Sequence, residues 1–378
     1  MEQGVWQEIE LLYQKFQKLG ISEAVDYDKY YLYSLITHST AIEGSTLTEL
    51  DTQLLFDEGV TAKGKPLVHH LMNEDLKQAY ELAKVESDSL VPITPAFLKR
   101  MNAMLMRTTG SVHSVMGGSF DSSKGEFRLC GVTAGVGGHS YMNYLKVPAK
   151  VDELCAILQE KQKKMGTFRE QYELSFNAHL NLVTIHPWVD GNGRTARLLM
   201  NYIQFCYHLF PTKIFKGDRE EYILSLRQCQ DEETNQPFLS FMAGQLKKSL
   251  SLEIERFKVW QKKVFVLCFK YHINGDTSVD NSSCLFVLGM LVRKYPNLIA
   301  GYNTMTAEQK KNVDVKGLSN FMRRSLCVIA VLMIVSYFVM VARSVNEKAV
   351  SVVSTMLIPI IGSIYMVVKA QRYDRNGK

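Results

Sequence analysis

The run from His186 to Arg197 is the densest cluster of chemically useful side chains in this sequence. Gly191 and Gly193 leave backbone N–H groups unshielded just before a predicted helix, and such a helix start is a ready site for an anion. Arg194 and Arg197 lie three residues apart on the first turn of that helix, where both can contact phosphate oxygens. This part of the run is therefore predicted to bind phosphate groups.

Two other side chains of the run add chemistry to the anion site. Asp190 offers a hard oxygen ligand suited to Mg²⁺, which usually takes one or two carboxylates together with substrate phosphates. His186 can accept a proton from an attacking hydroxyl, since an ordinary histidine has a pKa near ~6.5. Together these residues predict phosphoryl or nucleotidyl transfer, although the spacing differs from the GxxxxGK[ST] pattern of a Walker A loop.

The string HPWVDGNGRTAR resembles the signature of the Fic family, HPFx[D/E]GNGRxxR, with Trp188 in place of the usual phenylalanine. The resemblance extends over roughly residues 30–245. It implies a helical core with a small β-hairpin flap. It also implies an adenylyltransferase, which moves AMP from ATP to a Ser, Thr or Tyr hydroxyl of a target protein and releases pyrophosphate.

The resemblance assigns a role to each matching residue of the run. His186 is the base, Asp190 is the Mg²⁺ ligand, and Arg194 contacts phosphate. Arg197 is the clamp for the γ-phosphate. The phosphate cradle consists of Gly191, Asn192 and Gly193.

A second motif lies far upstream, where Ser39 to Gly44 (STAIEG) resembles the Fic inhibitory pattern [S/T]xxxE[G/N]. Glu43 falls in the last turn of a predicted helix, where the helix dipole disfavours an anion by ~0.3–1 kcal/mol, so a cationic partner is expected. Ser39 lies on the same helix face. The resemblance supplies Arg197 as the partner. It thereby implies an autoinhibited enzyme of the class with an N-terminal inhibitory helix.

The elements that must position these residues are mostly helical. Apolar side chains recur at helical spacing over much of residues 6–260, with glycine at several of the predicted helix ends. The exception is the glycine-rich segment 125–147, which predicts a short hairpin at the position of the Fic flap. The fold class is predicted to be mainly α, with a Fic-type helical core, a small β-hairpin flap and a C-terminal transmembrane helical hairpin.

The transmembrane hairpin is predicted from two uncharged runs, 326–342 and 349–368, each near the ~20 residues that cross a bilayer. Basic residues flank the pair: Lys310, Lys311, Lys316, Arg323, Arg324, Lys369, Arg372, Arg375 and Lys378. The positive-inside rule then places the catalytic domain in the cytosol, on a cytoplasmic (inner) membrane. The tail resembles the small bacterial membrane family DUF3784, which carries no implied chemistry and suggests a bacterial origin.

Four regions are predicted along the chain. Residues 1–94 form a helical region with the inhibitory helix, and residues 95–250 form the catalytic core. Residues 251–297 form a linker helix and connector. Residues 298–378 form the membrane-anchoring region.

Composition excludes some classes of protein. Lys and Arg total 44 against 38 Asp and Glu, but the basic excess lies in residues 300–378, which leaves a slightly acidic body. A globally basic nucleic-acid binder is therefore excluded. The 7 cysteines are scattered without a CxxC pair, which disfavours a disulfide framework or a zinc ribbon and favours a reducing compartment.

The leading hypothesis is thus a membrane-tethered, autoinhibited protein adenylyltransferase that uses ATP and Mg²⁺. Its expected partners are ATP, a target protein and the membrane. The enzyme itself is one candidate target. The resemblance also allows a homodimer. Three alternatives stay open. The same site could remove AMP, it could transfer phosphate instead, or the chain could be a non-catalytic membrane adaptor with a Fic-type binding module.

Overall fold

A computed structural model describes residues 2–23, 26–133, 140–164, 166–273, 277–294, 312–343 and 345–374, together with Pro296, Ile299 and Tyr302. These residues form a mainly α-helical protein with a two-stranded antiparallel sheet, as the sequence predicts. The chain divides into two compact units. The first comprises residues 1–14 and 28–251, and the second comprises residues 15–27 and 252–378.

The helices before residue 232 supply most of the first unit. They are α1 (Glu2–Lys18), α2 (Tyr27–Ile42), α3 (Glu49–Glu58), α4 (Leu67–Asp88), α5 (Pro95–Leu105), α6 (Val147–Lys163), α7 (Phe168–Ile185), α8 (Asn192–Cys206) and α9 (Arg219–Asp231). The next helix, α10 (Gln236–Ile273), begins in the first unit and continues past its boundary.

Helix α8 is the central element of the first unit, because it packs against α4, α5 and α7. Its apolar residues are almost completely buried, among them Ala196, Leu199 and Ile203. The polar Asn201 is also buried and accepts a hydrogen bond of 2.6 Å from the hydroxyl of Tyr80 on α4. A helix enclosed on several sides has a fixed N-terminus, and the predicted anion site lies at that end.

The regular β-hairpin lies upstream of its predicted position. Strands β1 (Val112–Val115) and β2 (Gly118–Asp121) pair antiparallel, from Val112 opposite Asp121 to Val115 opposite Gly118. Within the predicted segment 125–147, the described residues contain an isolated antiparallel bridge between Thr133 and Ser140. Residues 134–139 lie outside the described residues. The sequence signal for β1 and β2 is weak, because Phe120 is the strands' one buried hydrophobic side chain.

The second unit contains α11 (Thr277–Lys294), α12 (Val315–Ala342), α13 (Glu347–Val352) and α14 (Ile358–Ala370), with a π-helical segment, Val353–Leu357, between the last two. Gly362 permits the close approach of α14 to α12, because a Cβ at this position would collide with Ile329. The ends of the two helices lie together, since the N–H of Asp314 donates to the carbonyl of Tyr373 at 2.9 Å.

Among the described helices, α12 is the one that is long and apolar enough to cross a membrane, by length and composition. Its most apolar window has a mean hydropathy of 2.6 and is 22% buried. The second predicted span, 349–368, is helical but divided by the π-helical segment. Pro359, the second residue of α14, cannot donate an ordinary helical hydrogen bond, which accounts for the change of helix type just before it.

The predicted basic flanks are only partly described. Lys316, Arg323 and Arg324 lie in the first turns of α12, while Lys369 lies in the last turn of α14 and Arg372 follows that helix. The other four predicted flanking residues, Lys310, Lys311, Arg375 and Lys378, lie outside the described residues.

Candidate active site

The predicted base, His186, lies where helix α7 ends. Its backbone is left-handed, with φ 52° and ψ 62°, and its N–H donates to the carbonyl of Leu182 at 3.0 Å. A residue other than glycine rarely adopts this conformation, so tertiary contacts must hold it. The turn redirects the chain toward α8, which begins six residues later at Asn192.

The loop between α7 and α8 is braced by the side chain of Asn192. Its Oδ1 accepts the N–H of Trp188 at 3.0 Å, and its Nδ2 donates to the carbonyl of the same residue at 2.9 Å. The indole of Trp188 is 0% exposed and donates its Nε1–H to the carbonyl of Gly125 at 2.9 Å. Trp188 replaces the phenylalanine of the family signature and adds an indole N–H. The carbonyl of Gly125, at the edge of the 125–147 segment, accepts a hydrogen bond from that group.

Replacing Trp188 with Phe is expected to destabilise the first unit by about 1 kcal/mol or somewhat more, because the buried carbonyl of Gly125 would lose its donor. The thermal unfolding midpoint of the full chain in detergent, compared with the unmodified protein, measures the effect. An unchanged midpoint would show that the indole hydrogen bond contributes no net stability.

The start of α8 requires glycine at position 191. Gly191 has φ 78°, and a Cβ there would lie 2.8 Å from Nδ2 of Asn102 and 2.9 Å from Cδ1 of Leu105. The same region is joined by hydrogen bonds, since the hydroxyl of Thr195 donates to the carbonyl of Gly191 at 2.8 Å and accepts from Nδ2 of Asn102 at 3.1 Å. The N-terminus of α8 is thus held in one conformation, with its N–H groups directed out of the helix.

Arg194 and Asp190 lie together at this helix end. Nη2 of Arg194 is 3.3 Å from Oδ1 of Asp190, and that oxygen also accepts the N–H of Gly191 at 2.5 Å. The guanidinium of Arg194 is buried, and its Nε and Nη1 have no hydrogen-bond partner in the described part of the protein. Buried donors without acceptors are costly, and an anionic ligand would satisfy them. The carboxylate of Asp190 is 63% exposed, which leaves it accessible to a cation.

Arg197, one turn further along α8, is bound by the predicted inhibitory residues. Its Nη2 lies 2.5 Å from Oε1 of Glu43 and 3.0 Å from the carbonyl of Ser39, and its Nε donates to the Ser39 hydroxyl at 2.8 Å. Burial of the guanidinium disfavours its charged form, but the carboxylate of Glu43 outweighs this effect and raises the pKa of Arg197. The ion pair predicted for Glu43 and Arg197 is therefore present.

Glu43 also contacts the first turn of α8. A Cβ on Gly193 would lie only 2.5 Å from Oε1 of Glu43, so the carboxylate stands directly over this glycine. It therefore occupies the positive end of the helix dipole, where an anion is stabilised. The carboxylate thus stands in the region where the sequence predicts phosphate binding.

Polar contacts with two other helices hold α2, the predicted inhibitory helix, in place. The hydroxyl of Thr40 donates to Oδ1 of Asn73 on α4 at 2.5 Å. The Nε–H of Arg219 on α9 donates to the carbonyl of Ile42, at the end of α2, at 2.8 Å. Since α2 is anchored to both neighbours, Glu43 reaches Arg197 from a fixed backbone.

The imidazole of His186 stacks on the ring of Tyr141, with centroids 3.7 Å apart and planes 16° apart. Burial lowers the pKa of His186 to about 4, although the backbone of Val183 acts in the opposite direction. The imidazole is therefore neutral at pH 7, which is the form that can accept a proton.

Other histidines near the motif have structural contacts. His179 is 0% exposed, lies 3.0 Å from the hydroxyl of Tyr222 through Nε2, and stacks on Phe238. Nε2 of His70 accepts the N–H of Ala62 at 2.9 Å. The described residues contain no group of three His, Cys, Asp or Glu side chains that could hold a metal ion.

Sequence reasoning missed two residues beside His186. Neither Arg128, at the edge of the 125–147 segment, nor Tyr141 was predicted as a site residue. Arg128 is 1% exposed and donates to the carbonyl of His186 at 2.7 Å. In sequence, Arg128 is indistinguishable from a solvated arginine in a glycine-rich segment.

Comparison with known proteins identifies two domains. Residues 92–204 match the Fic/DOC family, and residues 282–374 match a domain of unknown function, DUF3784. Among curated proteins, the chain is 31% identical over 223 residues to "Protein adenylyltransferase Fic" of Drosophila grimshawi, and 30% identical to its counterpart in Drosophila melanogaster. The match covers 57% of this chain and 42% and 41% of those relatives, so the chain spans less than half of their length.

Solved structures give the same fold. A Fic domain containing signaling protein from Bacteroides thetaiotaomicron VPI-5482 matches with a TM-score of 0.55 and 25% identity, over 66% of this chain and 97% of that one. Fic-1 (residues 134–508) from C. elegans matches with a TM-score of 0.55 and 21% identity, over 68% of this chain and 73% of that one. The motif, the fold and these matches agree: residues 92–204 are similar to the Fic/DOC family, and residues 282–374 are similar to DUF3784.

Proposed function

We propose that this protein is an autoinhibited adenylyltransferase, which transfers AMP from ATP to a Ser, Thr or Tyr hydroxyl of a target protein. The observation that carries the proposal is the convergence of a neutral histidine and two buried arginines on the N-terminus of α8, with the carboxylate of Glu43 placed among them. The curated relatives named protein adenylyltransferase support the same reaction.

In the proposed reaction, His186 accepts the proton of the target hydroxyl. The hydroxyl oxygen forms a bond to the α-phosphorus of ATP, and the bond from that phosphorus to the bridging oxygen of pyrophosphate breaks. The unsatisfied donors of Arg194 and the N–H groups at the start of α8 bind the phosphate oxygens and stabilise the developing negative charge. The products are the AMP-modified hydroxyl and pyrophosphate.

Asp190 is the residue that would hold Mg²⁺. Its exposed carboxylate at the phosphate-binding helix end fits an ion that takes one or two carboxylates and completes its shell with phosphate and water oxygens. The ion would neutralise charge on the triphosphate. Gly191, Asn192 and Gly193 would complete the phosphate cradle through their backbone.

In the proposed enzyme, Glu43 inhibits transfer because it occupies the position that the γ-phosphate of ATP needs. The γ-phosphate would have to bind Arg197, but Glu43 and Ser39 already bind that guanidinium. Two anions cannot share one cation at this distance without repulsion. ATP would therefore bind in a pose that does not expose its α-phosphorus to attack.

The reaction class is tested by incubating the purified full chain in detergent with Mg²⁺ and ATP labelled at either the α- or the γ-phosphate. The proposal expects covalent α-label on protein, at a low level, and no covalent γ-label. Covalent γ-label would instead identify a kinase. Release of AMP from a previously modified protein, without uptake, would identify AMP removal as the reaction.

We further propose that α12 tethers the protein to a membrane, with the catalytic domain in the cytosol. The outer face of α12 supports the tether, because Val331 and Val335 are 52% and 51% exposed. A surface of this kind is stable in hydrocarbon and unfavourable in water.

The double variant Val331→Lys, Val335→Lys is expected to release the protein from membranes. A lysine at the centre of a membrane-spanning helix raises the free energy of insertion by about 3 kcal/mol. The measurement is the fraction of the full chain that stays in the membrane pellet after alkaline carbonate extraction. The double variant Val60→Lys, Val85→Lys serves as the matched control and should leave the fraction unchanged, since these two valines of the first unit are 50% and 66% exposed. Equal retention of both double variants would contradict the tether.

A further inference from the structure

A single buried arginine joins the segments around the proposed base. Arg128 directs its Nε to the carbonyl of His186 at 2.7 Å, its Nη1 to the carbonyl of Cys130 at 2.7 Å, and its Nη2 to the carbonyl of Met142 at 2.5 Å. All three acceptors are backbone carbonyls. The planar guanidinium fixes their directions as well as their distances, which a lysine ammonium would not.

The backbone of Arg128 adds a fourth bond. Its N–H donates to the carbonyl of Pro187 at 3.0 Å, so two consecutive carbonyls of the catalytic loop accept hydrogen bonds from one residue. These bonds fall at the point where His186 holds its left-handed conformation. Strain of this kind persists only when neighbouring contacts fix the backbone, and charge-assisted bonds to carbonyls are strong enough to do so.

The same guanidinium fixes the ring that covers the base. Tyr141 directly precedes Met142, whose carbonyl binds Nη2 of Arg128, and the N–H of Tyr141 donates to the carbonyl of Val132 at 3.0 Å. The Tyr141 ring is thereby held flat against the imidazole of His186. One face of the base is covered and its ring plane is set.

We propose that Arg128 is a positioning residue for His186, which holds the catalytic loop and the Tyr141 segment together so that the imidazole keeps one orientation. This inference rests on the proposed role of His186 as the base, but the arrangement itself does not depend on turnover. Arg128 touches neither of the reacting groups and acts through the backbone of His186 and through Tyr141.

The charge of Arg128 has a separate effect on the base. Burial is the largest influence on the pKa of His186, and the positive charge of Arg128 lowers the pKa further, while the carboxylates of Glu43 and Asp190 raise it. Tyr141 is the titratable group stacked on the ring. Removing the guanidinium should therefore raise the pKa of His186. Moving Tyr141 away should change the NMR chemical shifts of the His186 ring.

The first test is an NMR titration of His186 in the full chain in detergent, with ¹³C-labelled histidine and the resonance assigned from His186→Ala. Arg128→Met should raise the pKa of His186 and remove the ring-current shift that the Tyr141 stack imposes. Arg128→Lys should leave the pKa near its original value while the ring-current shift decreases. Tyr141→Leu should remove the ring-current shift alone.

The matched control is Arg169→Met. Arg169 lies in the first turn of α7, the helix that ends at His186, and it pairs with Glu173 at 2.6 Å on the surface. It should leave both NMR readouts unchanged. If Arg128→Met and Arg128→Lys also leave the ring-current shift and the pKa unchanged, the proposal is overturned.

The second test measures transfer of α-label by the same variants in a Glu43→Gly background. Arg128→Lys and Tyr141→Leu should lower kcat by about 10- to 100-fold with the KM for ATP nearly unchanged, because a base displaced by about 1 Å loses that much rate while the phosphate contacts remain. An increase in KM without loss of kcat would overturn the positioning role. If the parent protein transfers no label, the proposed function fails, and the NMR result still decides the role of Arg128.

Discussion

Glu43→Gly is expected to increase covalent uptake of α-labelled AMP by about two orders of magnitude. The carboxylate of Glu43 holds Arg197 at 2.5 Å and stands over Gly193, so its removal frees both the guanidinium and the helix end for the γ-phosphate. A contact of this kind in a partly buried site is worth roughly 3 kcal/mol, which corresponds to about 100-fold in an equilibrium. The measurement is initial uptake by the full chain in detergent at saturating Mg²⁺ and ATP.

The matched control for this variant is Glu58→Gly. Glu58 ends α3 just before Gly59, a left-handed glycine, much as Glu43 precedes the left-handed Gly44, but the residue that pairs with Arg197 is Glu43 and not Glu58. It should leave uptake at the original level. Equal uptake by the two variants would show that Glu43 does not restrain the site, and autoinhibition would have to be abandoned.

His186→Ala, placed in the Glu43→Gly background, is expected to lower transfer by about 10²- to 10⁴-fold, the usual contribution of a positioned base. ATP affinity should change little, because the proposed phosphate contacts are made by Arg194, Arg197 and the start of α8. Transfer is followed with α-label, and ATP binding is followed by equilibrium dialysis. Loss of transfer together with loss of ATP binding would mean that the substitution disrupts the site as a whole.

The pH dependence of transfer gives a second check on the same residue. Burial lowers the pKa of His186 to about 4, so its neutral form predominates at every pH well above that value. Transfer by Glu43→Gly should therefore stay constant between pH 8 and pH 6, where a histidine with an ordinary pKa would lose about half of its neutral form or more. His69→Ala is the control, since the hydrogen bond of its imidazole is with Thr46 and not with His186, Arg194 or Arg197, and it should alter neither rate nor profile.

The candidate site was predictable where its residues are adjacent in sequence. The chemistry of the run from His186 to Arg197 follows from residue types and from a helix start, and the structure places that run on one short loop and one helix turn. Glu43 is 154 residues away from Arg197 in the sequence. Their pairing was predicted from the family resemblance, together with the unfavourable position of an acid at a helix end. Helix-dipole reasoning indicated that a cation was needed but did not specify which one.

The structural features that were not predicted depend on tertiary contacts, which give little signal in the sequence. Arg128 looks like a solvated arginine in a glycine-rich segment until its three carbonyl acceptors are assembled from separate stretches of chain. The strands β1 and β2 bury little besides Phe120, so apolar alternation is too weak to locate them. The second apolar run reads as a uniform helix, whereas the structure divides it before Pro359.

The order of the two motifs along the chain has a consequence for biosynthesis. A ribosome releases α2 well before α8, because Glu43 precedes Arg197 by 154 residues. When Arg197 emerges and folds, the carboxylate that binds it is already present. In the proposed enzyme, a nascent chain would therefore never expose a working transferase without its inhibitor, and a truncated translation product would contain the proposed inhibitory helix without the site that it restrains.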